Sequence, residues 1–203
     1  MIDQHWTYKV LRDLPRPPDW LINNIDNRYR PNIDKYSTDD EYYLSIKERA
    51  DWKNQSYDWI QPMASNNNVR HYFEHNFVDW IKNNITSEFQ FGNSGIMFFD
   101  EPQLPHTDVT RDFVLLFNLE AGGTNSELCF WQEKGKSLYR ERMLAVDRSP
   151  NLKLIDQIKG PFDCWYLVNT RVIHSVENVE KLRLNLQISF DNEIPAEFLQ
   201  RYF

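Results

Sequence analysis

Cysteine is scarce in this chain, which limits how the fold can be held together. Only two of the 203 residues are cysteines, Cys129 and Cys164, so the sequence indicates no disulfide framework of the kind that stabilises small secreted domains. Both cysteines lie in or beside predicted strands, where we expect them to be buried thiols. Whether they pair stays open, because a disulfide requires their Cα atoms to be close in the fold.

Long apolar runs are also absent. No stretch approaches the roughly eighteen consecutive apolar residues that a membrane-spanning helix needs. The first residues, Met1 to Trp6, have neither the basic start nor the apolar run of a secretory signal. We therefore expect a soluble, cytoplasmic protein with no membrane partner.

Basic residues do not cluster. The chain has 23 Lys and Arg against 30 Asp and Glu, a formal net charge of −7, and the acidic residues are scattered throughout. Proteins that bind a nucleic-acid backbone need clustered positive charge, so we expect no nucleic-acid partner. Aromatic residues are plentiful at 15%, which is typical of a folded domain with a large core rather than of a disordered chain.

The pattern of apolar residues changes near residue 90. Before it, residues 7 to 11 predict a short strand, and a helix is expected to begin at Pro18 and Asp19. Thr38 to Glu41 has the form of a capping box, which predicts a helix over 39–50. Apolar residues at steps of three and four from Val69 to Ile81 predict an amphipathic helix. We expect these helices to pack on the outer face of a sheet.

After residue 90 the sequence predicts short strands separated by turns, with Ala121-Gly122-Gly123 and Lys159-Gly160-Pro161 as tight turns. An eighth strand is expected from the N-terminal part. The predicted strands are Ile96 to Asp100, Phe113 to Leu119, Leu128 to Gln132, Met143 to Asp147, Asp163 to Asn169, Val172 to Val176 and Leu182 to Phe190. We expect one domain over 1–203, mainly β with helices (α+β), in which 1–90 gives helical support and 91–203 forms a sandwich or barrel.

The last predicted strand has two faces of opposite character. Arg183, Asn185, Gln187 and Ser189 alternate with apolar residues from Leu182 to Phe190. Such alternation fits a sheet with one face in water, and it equally fits a barrel whose polar face lines a pocket. Periodicity does not choose between the two.

His106-Thr107-Asp108 is the most informative motif. Alternate side chains of an extended strand point the same way, so this triplet places an imidazole and a carboxylate on one face. His174, from a distant strand, would complete a facial set of two nitrogens and one oxygen, which is typical of Fe(II) with open positions for chemistry. Arg183 follows nine residues later, and its planar cation suits the far carboxylate of a dicarboxylic co-substrate.

On these four residues the chain resembles the Fe(II)- and 2-oxoglutarate-dependent dioxygenases, over about residues 91 to 203. The segments from Val172 to Asn178 and from Leu182 to Leu186 are similar to the small hydroxylases that act on amino acids or on aspartyl and prolyl residues. The resemblance implies a double-stranded β-helix, a jelly-roll or cupin-like barrel, with N-terminal helices against it. It also implies that His106, Asp108 and His174 bind Fe(II) and that Arg183 holds the 5-carboxylate of 2-oxoglutarate.

The reaction implied by the resemblance is hydroxylation of an aliphatic C–H by dioxygen, with decarboxylation of 2-oxoglutarate to succinate. The substrate would be an amino acid or a side chain of a peptide. Asn185, two residues beyond Arg183 on the same strand face, is either a contact to the co-substrate carboxylate or a water, or a structural residue. Arg111, Arg171 and Trp131 are candidate substrate-binding residues, although surface ion pairs and core packing are their common uses.

Two other classes of function remain open. His174 to Asn178 also fits the H-x-x-x-N ending of a cupin motif, which would make the protein a metal- or sugar-binding barrel without 2-oxoglutarate, and a barrel scaffold without chemistry is the third possibility. His71 to His75 spells H-x-x-E-H, a zinc-protease motif. The periodicity of the helix predicted there turns both histidines toward water, so we interpret them as solvated residues.

Overall fold

The computed structural model describes residues 6–28, 69–71, 73, 75–99, 102–108, 110–134, 152–159, 163–190 and 193–203. Within these residues the protein consists of ten strands in two antiparallel sheets, three helices and one 3-10 turn. The prediction of a mainly β fold with few helices is therefore confirmed.

Six strands form the larger sheet and four form the smaller one. In spatial order the larger sheet contains β1 (Tyr8–Leu11), β8 (Trp165–Asn169), β5 (Phe113–Ala121), β10 (Arg183–Phe190), β3 (Gly95–Phe99) and β2 (Val69–His71). The smaller sheet contains β4 (Gln103–His106), β9 (Ile173–Glu177), β6 (Glu127–Glu133) and β7 (Leu152–Lys159).

The strands from β3 to β10 pair in a nested order. β3 pairs with β10, β4 with β9, β5 with β8, and β6 with β7, all antiparallel. These pairings are those of one long hairpin that has been rolled up, so that its successive segments alternate between the two sheets. Strands from the two ends of this region consequently lie side by side.

The space between the sheets is filled by an apolar cluster to which both contribute. Its members are Val114, Leu116, Leu128, Phe130, Ile158, Cys164, Tyr166, Val168 and Val176. We call the sides of the sheets that meet here their inner faces. Because side chains alternate along a strand, the neighbours of these residues point to the outer faces.

The outer face of the larger sheet is covered by the three helices of the described residues. α1 (Asp19–Arg28), α2 (His75–Asn84) and α3 (Ala196–Tyr202) contribute Leu21, Phe77, Ile81 and Phe198 to a core that also contains Leu115, Trp165, Leu184, Leu186 and Ile188. None of the helices in the described ranges has the length and apolar character required to cross a bilayer.

The predicted helix over Val69 to Ile81 is wrong in its first part. Residues Val69–His71 form β2 and pair with β3, and the helix begins only at His75. Hydrogen bonds to the edge of β3 outweigh the helical periodicity at these positions. The H-x-x-E-H motif is therefore divided between a strand and a helix, and His75 is exposed.

Most other predicted elements are confirmed, with shifts of at most two residues at their ends. β1, α1 and six of the seven later strands lie where the sequence predicts them. The helix predicted over 39–50 and the strand predicted from Met143 to Asp147 fall outside the described residues.

Three elements of the described residues, β4, β7 and α3, were not predicted. β4 contains Pro105, and only two residues of β7, Leu152 and Ile158, are buried.

The cysteines agree with the sequence-based expectation. Cys129 and Cys164 are both buried, and neither forms a disulfide. Cys164 lies on the inner face, where its thiol donates to the hydroxyl of Tyr166 over 3.4 Å.

The last strand, β10, is buried along its whole length. Its apolar residues join the core under the helices, while Arg183, Asn185, Gln187 and Ser189 are buried on the inner face. The interpretation of this face as one exposed to bulk water is therefore wrong. The polar side chains line the interior between the sheets.

The turn between β5 and β6 depends on a glycine beside Arg183. Gly122 has φ +87°, a conformation that L side chains rarely adopt, and a Cβ placed on it would lie 3.0 Å from Cβ of Arg183. Its carbonyl accepts hydrogen bonds from the backbone N–H groups of Glu180 and Lys181. The turn thus fixes the backbone at the end of the strand that carries the guanidinium.

We predict that Gly122→Ala lowers the free energy of unfolding by about 1–3 kcal/mol, because the new methyl group is strained at positive φ and crowds Arg183. Urea denaturation measures this value. Gly92→Ala is the matched control, since a Cβ there meets nothing within 4 Å, and it should change the stability by less than about 0.5 kcal/mol. Equal effects of the two substitutions would contradict this account of the turn.

Candidate metal centre

Pairing of two distant strands brings the two predicted histidine ligands together. β4 ends at His106, and its antiparallel partner β9 places His174 directly opposite. The two imidazole rings are 4.4 Å apart between centroids, and both residues are buried. A pair of histidines widely separated in the sequence therefore meets at one edge of the smaller sheet.

Asp108 completes the cluster two residues beyond the end of β4. Its Oδ1 lies 3.5 Å from Nε2 of His106 and 3.7 Å from Nε2 of His174. The backbone N–H of Asp108 donates to the carbonyl of Thr170 over 3.1 Å, which ties the segment after β4 to the segment before β9. One ligand atom from each of the three residues lies within 4.8 Å of the others.

Backbone carbonyls fix the orientation of both imidazoles. Nδ1 of His106 donates to the carbonyl of Leu104 over 2.6 Å, and Nδ1 of His174 donates to the carbonyl of Val172 over 2.9 Å. A carbonyl can only accept, so in the neutral ring the proton resides on Nδ1 and the lone pair of Nε2 faces the cluster. This is the tautomer and the outer hydrogen bond that metal-binding histidines use.

The surroundings of the cluster favour the protonation states in which these groups can bind a metal ion. Burial alone raises the pKa of Asp108, but Arg111 and the two imidazoles outweigh it and hold that pKa well below its usual range. Burial, together with the nearby His106, lowers the pKa of His174 to about 4. At neutral pH the site therefore presents a carboxylate and a neutral imidazole at these two positions.

The donor set fits a divalent metal ion. Adjacent ligands of an octahedral ion with bonds of about 2.1 Å are roughly 3 Å apart. The distances from Asp108 Oδ1 to the two histidine nitrogens, 3.5 and 3.7 Å, are longer than this value by less than 1 Å. Two imidazoles and one carboxylate on one side of an ion leave other positions open. This arrangement is typical of non-haem Fe(II) sites.

Arg111 contacts the carboxylate ligand rather than standing at the surface. Its Nε donates to Oδ2 of Asp108, and its Nη1 donates to Oε1 of Gln187 over 2.6 Å and to Oγ of Ser189 over 3.1 Å. Only 10% of its side chain is exposed. A contact between Arg111 and substrate stays a prediction, but these three hydrogen bonds direct the guanidinium to Asp108 and β10.

Arg183 lies in a recess between the sheets. Its Nη1 donates to the carbonyl of Ala121 and to Oγ of Ser126, both over 3.0 Å. Burial lowers its pKa to about 10, so the guanidinium is still cationic at neutral pH. The recess has a volume of about 10 Å³ and is lined by Leu116, Asn118, Ser126, Leu128, Ile158, Tyr166 and Arg183.

Polar groups in the recess suit an anionic ligand with oxygen atoms. Oδ1 of Asn118 is buried and has no hydrogen-bond partner among the described residues. Rotation of this amide by half a turn would offer its N–H₂ group at the same place, because amide oxygen and nitrogen have nearly the same shape. The recess also contains the hydroxyls of Ser126 and Tyr166 and the cation of Arg183. A carboxylate could accept hydrogen bonds from these groups.

The other predicted site residues lie in different places. Asn185 is buried beside the recess on the inner face of β10, where its Oδ1 accepts a hydrogen bond from Gln187. Arg171 is paired with Asp112 and lies over the ring of Phe113, and 38% of its side chain is exposed.

Two further residues lie away from the ligands. Trp131 is on the outer face of the smaller sheet, where its Nε1 donates to Oγ of Ser175 over 2.8 Å, so the structure does not bring it to the cluster. Asn178, the last residue of the cupin-like ending, is a turn residue with φ 56° whose amide donates to Glu127. It does not join the ligands either.

Sequence reasoning missed several residues of this region. Gln187 and Ser189 were recognised only as part of an alternating strand, although that alternation already placed them on the face of Arg183. Asn118, Ser126 and Tyr166 carried no motif, and only the pairing of the strands brings them to the recess. Local sequence contains no signal for such contacts.

We predict that the protein freed of metal by a chelator loses stability as the pH falls from about 6.5 to about 4. Over this range the unfolded chain takes up a proton on His174 that the folded protein does not, so the free energy of unfolding should fall by about 3 kcal/mol. Urea denaturation at several pH values measures the slope.

His174→Gln, which cannot take up the proton, should show a correspondingly flatter dependence over the same pH range. Wild-type and variant curves that run parallel would contradict the assignment of this titration to a buried neutral His174.

Comparisons with known proteins add little. No protein-family model matches the chain, and no curated protein matches it. Among solved structures, the X-ray structure of E. coli ycfD overlaps with a TM-score of 0.32 and 17% identity, over 52% of this chain and 29% of that chain. The chain thus spans less than a third of the length of ycfD, and a likeness at this level carries no weight for fold or function.

Proposed function

We propose that the protein is an Fe(II)- and 2-oxoglutarate-dependent dioxygenase that hydroxylates an aliphatic C–H of an amino acid or of a peptide side chain. The observation that carries the proposal is the meeting of His106, Asp108 and His174 around one point, combined with a buried guanidinium, Arg183, on the inner face of the opposing sheet. The three clustered side chains alone would fit simple metal binding equally well, and Arg183 alone would not indicate a metal-dependent reaction.

The order of the strands supports a double-stranded β-helix. In a jelly roll, eight strands form two sheets through nested antiparallel pairs, and cupins share this architecture. β3 to β10 pair in this nested order, with β3, β5, β8 and β10 in one sheet and β4, β6, β7 and β9 in the other. The metal cluster would then lie between the sheets, at the ends of the paired strands β4 and β9.

Each group of the proposed reaction has residues to hold it. His106, Asp108 and His174 would hold Fe(II) and leave positions open for co-substrate and dioxygen. Arg183 would hold the far carboxylate of 2-oxoglutarate, with Ser126 and Tyr166 as further donors. When bound, the iron and 2-oxoglutarate together supply the activation of dioxygen, which yields succinate, carbon dioxide and a hydroxylated product.

The protein's own residues orient the metal ligands and limit the access of water to the site. The carbonyls of Leu104 and Val172 hold the imidazoles in one orientation, and Arg111 holds one oxygen of Asp108. The apolar cluster between the sheets limits access of water to the interior. A fixed geometry in a water-poor cavity is what a reactive oxidising centre needs to act on substrate rather than on its surroundings.

The substrate is the least constrained part of the proposal. The proposal of an amino acid or a peptide side chain as substrate rests on the similarity of the last strands to the small hydroxylases. The partly exposed guanidinium of Arg171, three residues before His174, is the candidate cation for a substrate carboxylate, although it is already paired with Asp112.

We predict that the protein gives the visible charge-transfer band of an Fe(II)–2-oxoglutarate chelate when both are added without oxygen. His174→Ala should abolish the band, because one of the three metal ligands is lost. Arg183→Ala should keep the band but raise the 2-oxoglutarate concentration needed for it by about 30-fold or more, as expected for loss of a buried cation that pairs with a carboxylate. Absorption titrations measure both effects.

Arg171→Ala is the matched control, because it removes an arginine from the same region whose ion pair does not involve a metal ligand. It should leave the band and its concentration dependence unchanged.

A wild-type protein that binds iron but does not bind 2-oxoglutarate would instead favour a cupin-like metal-binding barrel, and one that binds neither would favour a scaffold. Succinate production with a panel of amino acids and peptides would then identify the substrate class.

A further inference from the structure

A chain of hydrogen bonds connects the carboxylate ligand to the polar face of β10. Arg111 bridges from Asp108 to Gln187 and Ser189, and Nε2 of Gln187 donates to Oδ1 of Asn185 over 2.9 Å. The four residues of β10 on this face, Arg183 included, are buried. The network therefore runs from the metal cluster as far as Asn185, which lies two residues from Arg183 on the same face of β10.

The network restricts how Asp108 can bind a metal ion. A carboxylate can coordinate through one oxygen or through both, and the two modes give the ion different coordination numbers. Oδ2 of Asp108 accepts a hydrogen bond from Nε of Arg111, while Oδ1 faces both histidines. The guanidinium thus leaves one oxygen, Oδ1, to act as the ligand.

The network also fixes the direction of two amides that could otherwise be turned around. A guanidinium can only donate, so Gln187 must present its Oε1 to Arg111, and its N–H₂ group then points to Asn185. Asn185 must in turn present its Oδ1 to Gln187. Its own N–H₂ group takes no part in this bond. A donor at this place suits an oxygen-bearing ligand.

Serine completes the anchoring of Arg111. Oγ of Ser189 accepts from Arg111 and donates to the carbonyl of Asn93 over 2.6 Å, and the carbonyl of Arg111 accepts from Oγ1 of Thr170. Ser189 thus holds the guanidinium of Arg111, and Thr170 holds its backbone while also accepting a hydrogen bond from the backbone N–H of Asp108.

We propose that Arg111 is a positioning residue for the whole site: it leaves Oδ1 of Asp108 to the metal and, through Gln187, it aims the N–H₂ group of Asn185 at the co-substrate. The inference rests on the proposed function, because it assumes a metal ion on the cluster and an oxygen-bearing ligand in the interior. It adds a specific role for the residues between them.

The first experiment measures Co²⁺ affinity and the visible spectrum of bound Co²⁺ in the full chain. Arg111→Met should weaken binding by about 10- to 100-fold, as is typical when the outer partner of a ligand is lost, and should change the spectrum because Asp108 becomes free to use both oxygens. Arg111→Lys should recover little, since a single ammonium cannot hold Asp108, Gln187 and Ser189 together.

Arg16→Met is the control, because it removes an arginine whose ion pair, with Asp163, involves no metal ligand and no residue of β10. It should match the wild type in Co²⁺ affinity and spectrum. If Arg111→Met and Arg111→Lys also match the wild type, the positioning role is wrong. A charge effect alone would show as full recovery by lysine, and this result would overturn the inference as well.

The second experiment leaves the pair of Asp108 and Arg111 intact and tests the amides. Gln187→Met should raise the 2-oxoglutarate concentration needed for binding to the metal-loaded protein by roughly fivefold, because one oriented hydrogen bond is lost, while Co²⁺ affinity stays near that of the wild type. Asn185→Ala should have an effect at least as large. Wild-type affinity for 2-oxoglutarate in either variant would contradict the orientation of Asn185.

Failure of the proposed function would look different. A wild-type protein that does not bind Co²⁺ contradicts both the function and this inference. A wild-type protein that binds Co²⁺ but not 2-oxoglutarate contradicts the function and the role of Asn185, whereas the role of Arg111 toward Asp108 is still decided by the first experiment.

Discussion

The antiparallel pairing of β4 with β9 is the interaction on which the candidate site depends. It places His106 opposite His174, and the hydrogen bond from Asp108 to Thr170 brings the third ligand to the same point. Backbone hydrogen bonds thus set the distance between the imidazoles, and two further carbonyls set their tautomer. A site built in this way is formed by the fold before any ion is bound, so binding requires little rearrangement.

A second constraint comes from burying polar groups between two sheets. Charged and amide side chains cost free energy in an apolar interior unless they are hydrogen-bonded. The inner face of β10 meets this condition through Arg111, Ser126 and the carbonyl of Ala121, and apolar residues surround it. Such a face stabilises the fold less than an apolar one of the same size would. The proposed anionic co-substrate would use these donors.

Local sequence patterns predicted much of the fold and most of the metal cluster. The H-x-D triplet placed His106 and Asp108 in one cluster, although Asp108 lies beyond the end of β4 and is held by its hydrogen bond to Thr170. The alternation in β10 placed Asn185 on the face of Arg183. The helix over Val69 to His71 failed because pairing with β3 is a long-range effect. The contact of Arg111 with Gln187, 76 residues away in sequence, depends on the whole topology, so no local pattern could predict it.

The proposed function requires three side chains to hold one divalent ion while Arg183 holds an anion in the same cavity. The most direct test is a crystal structure of the protein with Mn²⁺ and 2-oxoglutarate, using anomalous scattering to locate the metal. The account predicts a single strong peak within about 2.0–2.3 Å of Nε2 of His106, Oδ1 of Asp108 and Nε2 of His174, with a carboxylate against Arg183. A peak elsewhere, or an anion bound away from Arg183, would contradict it.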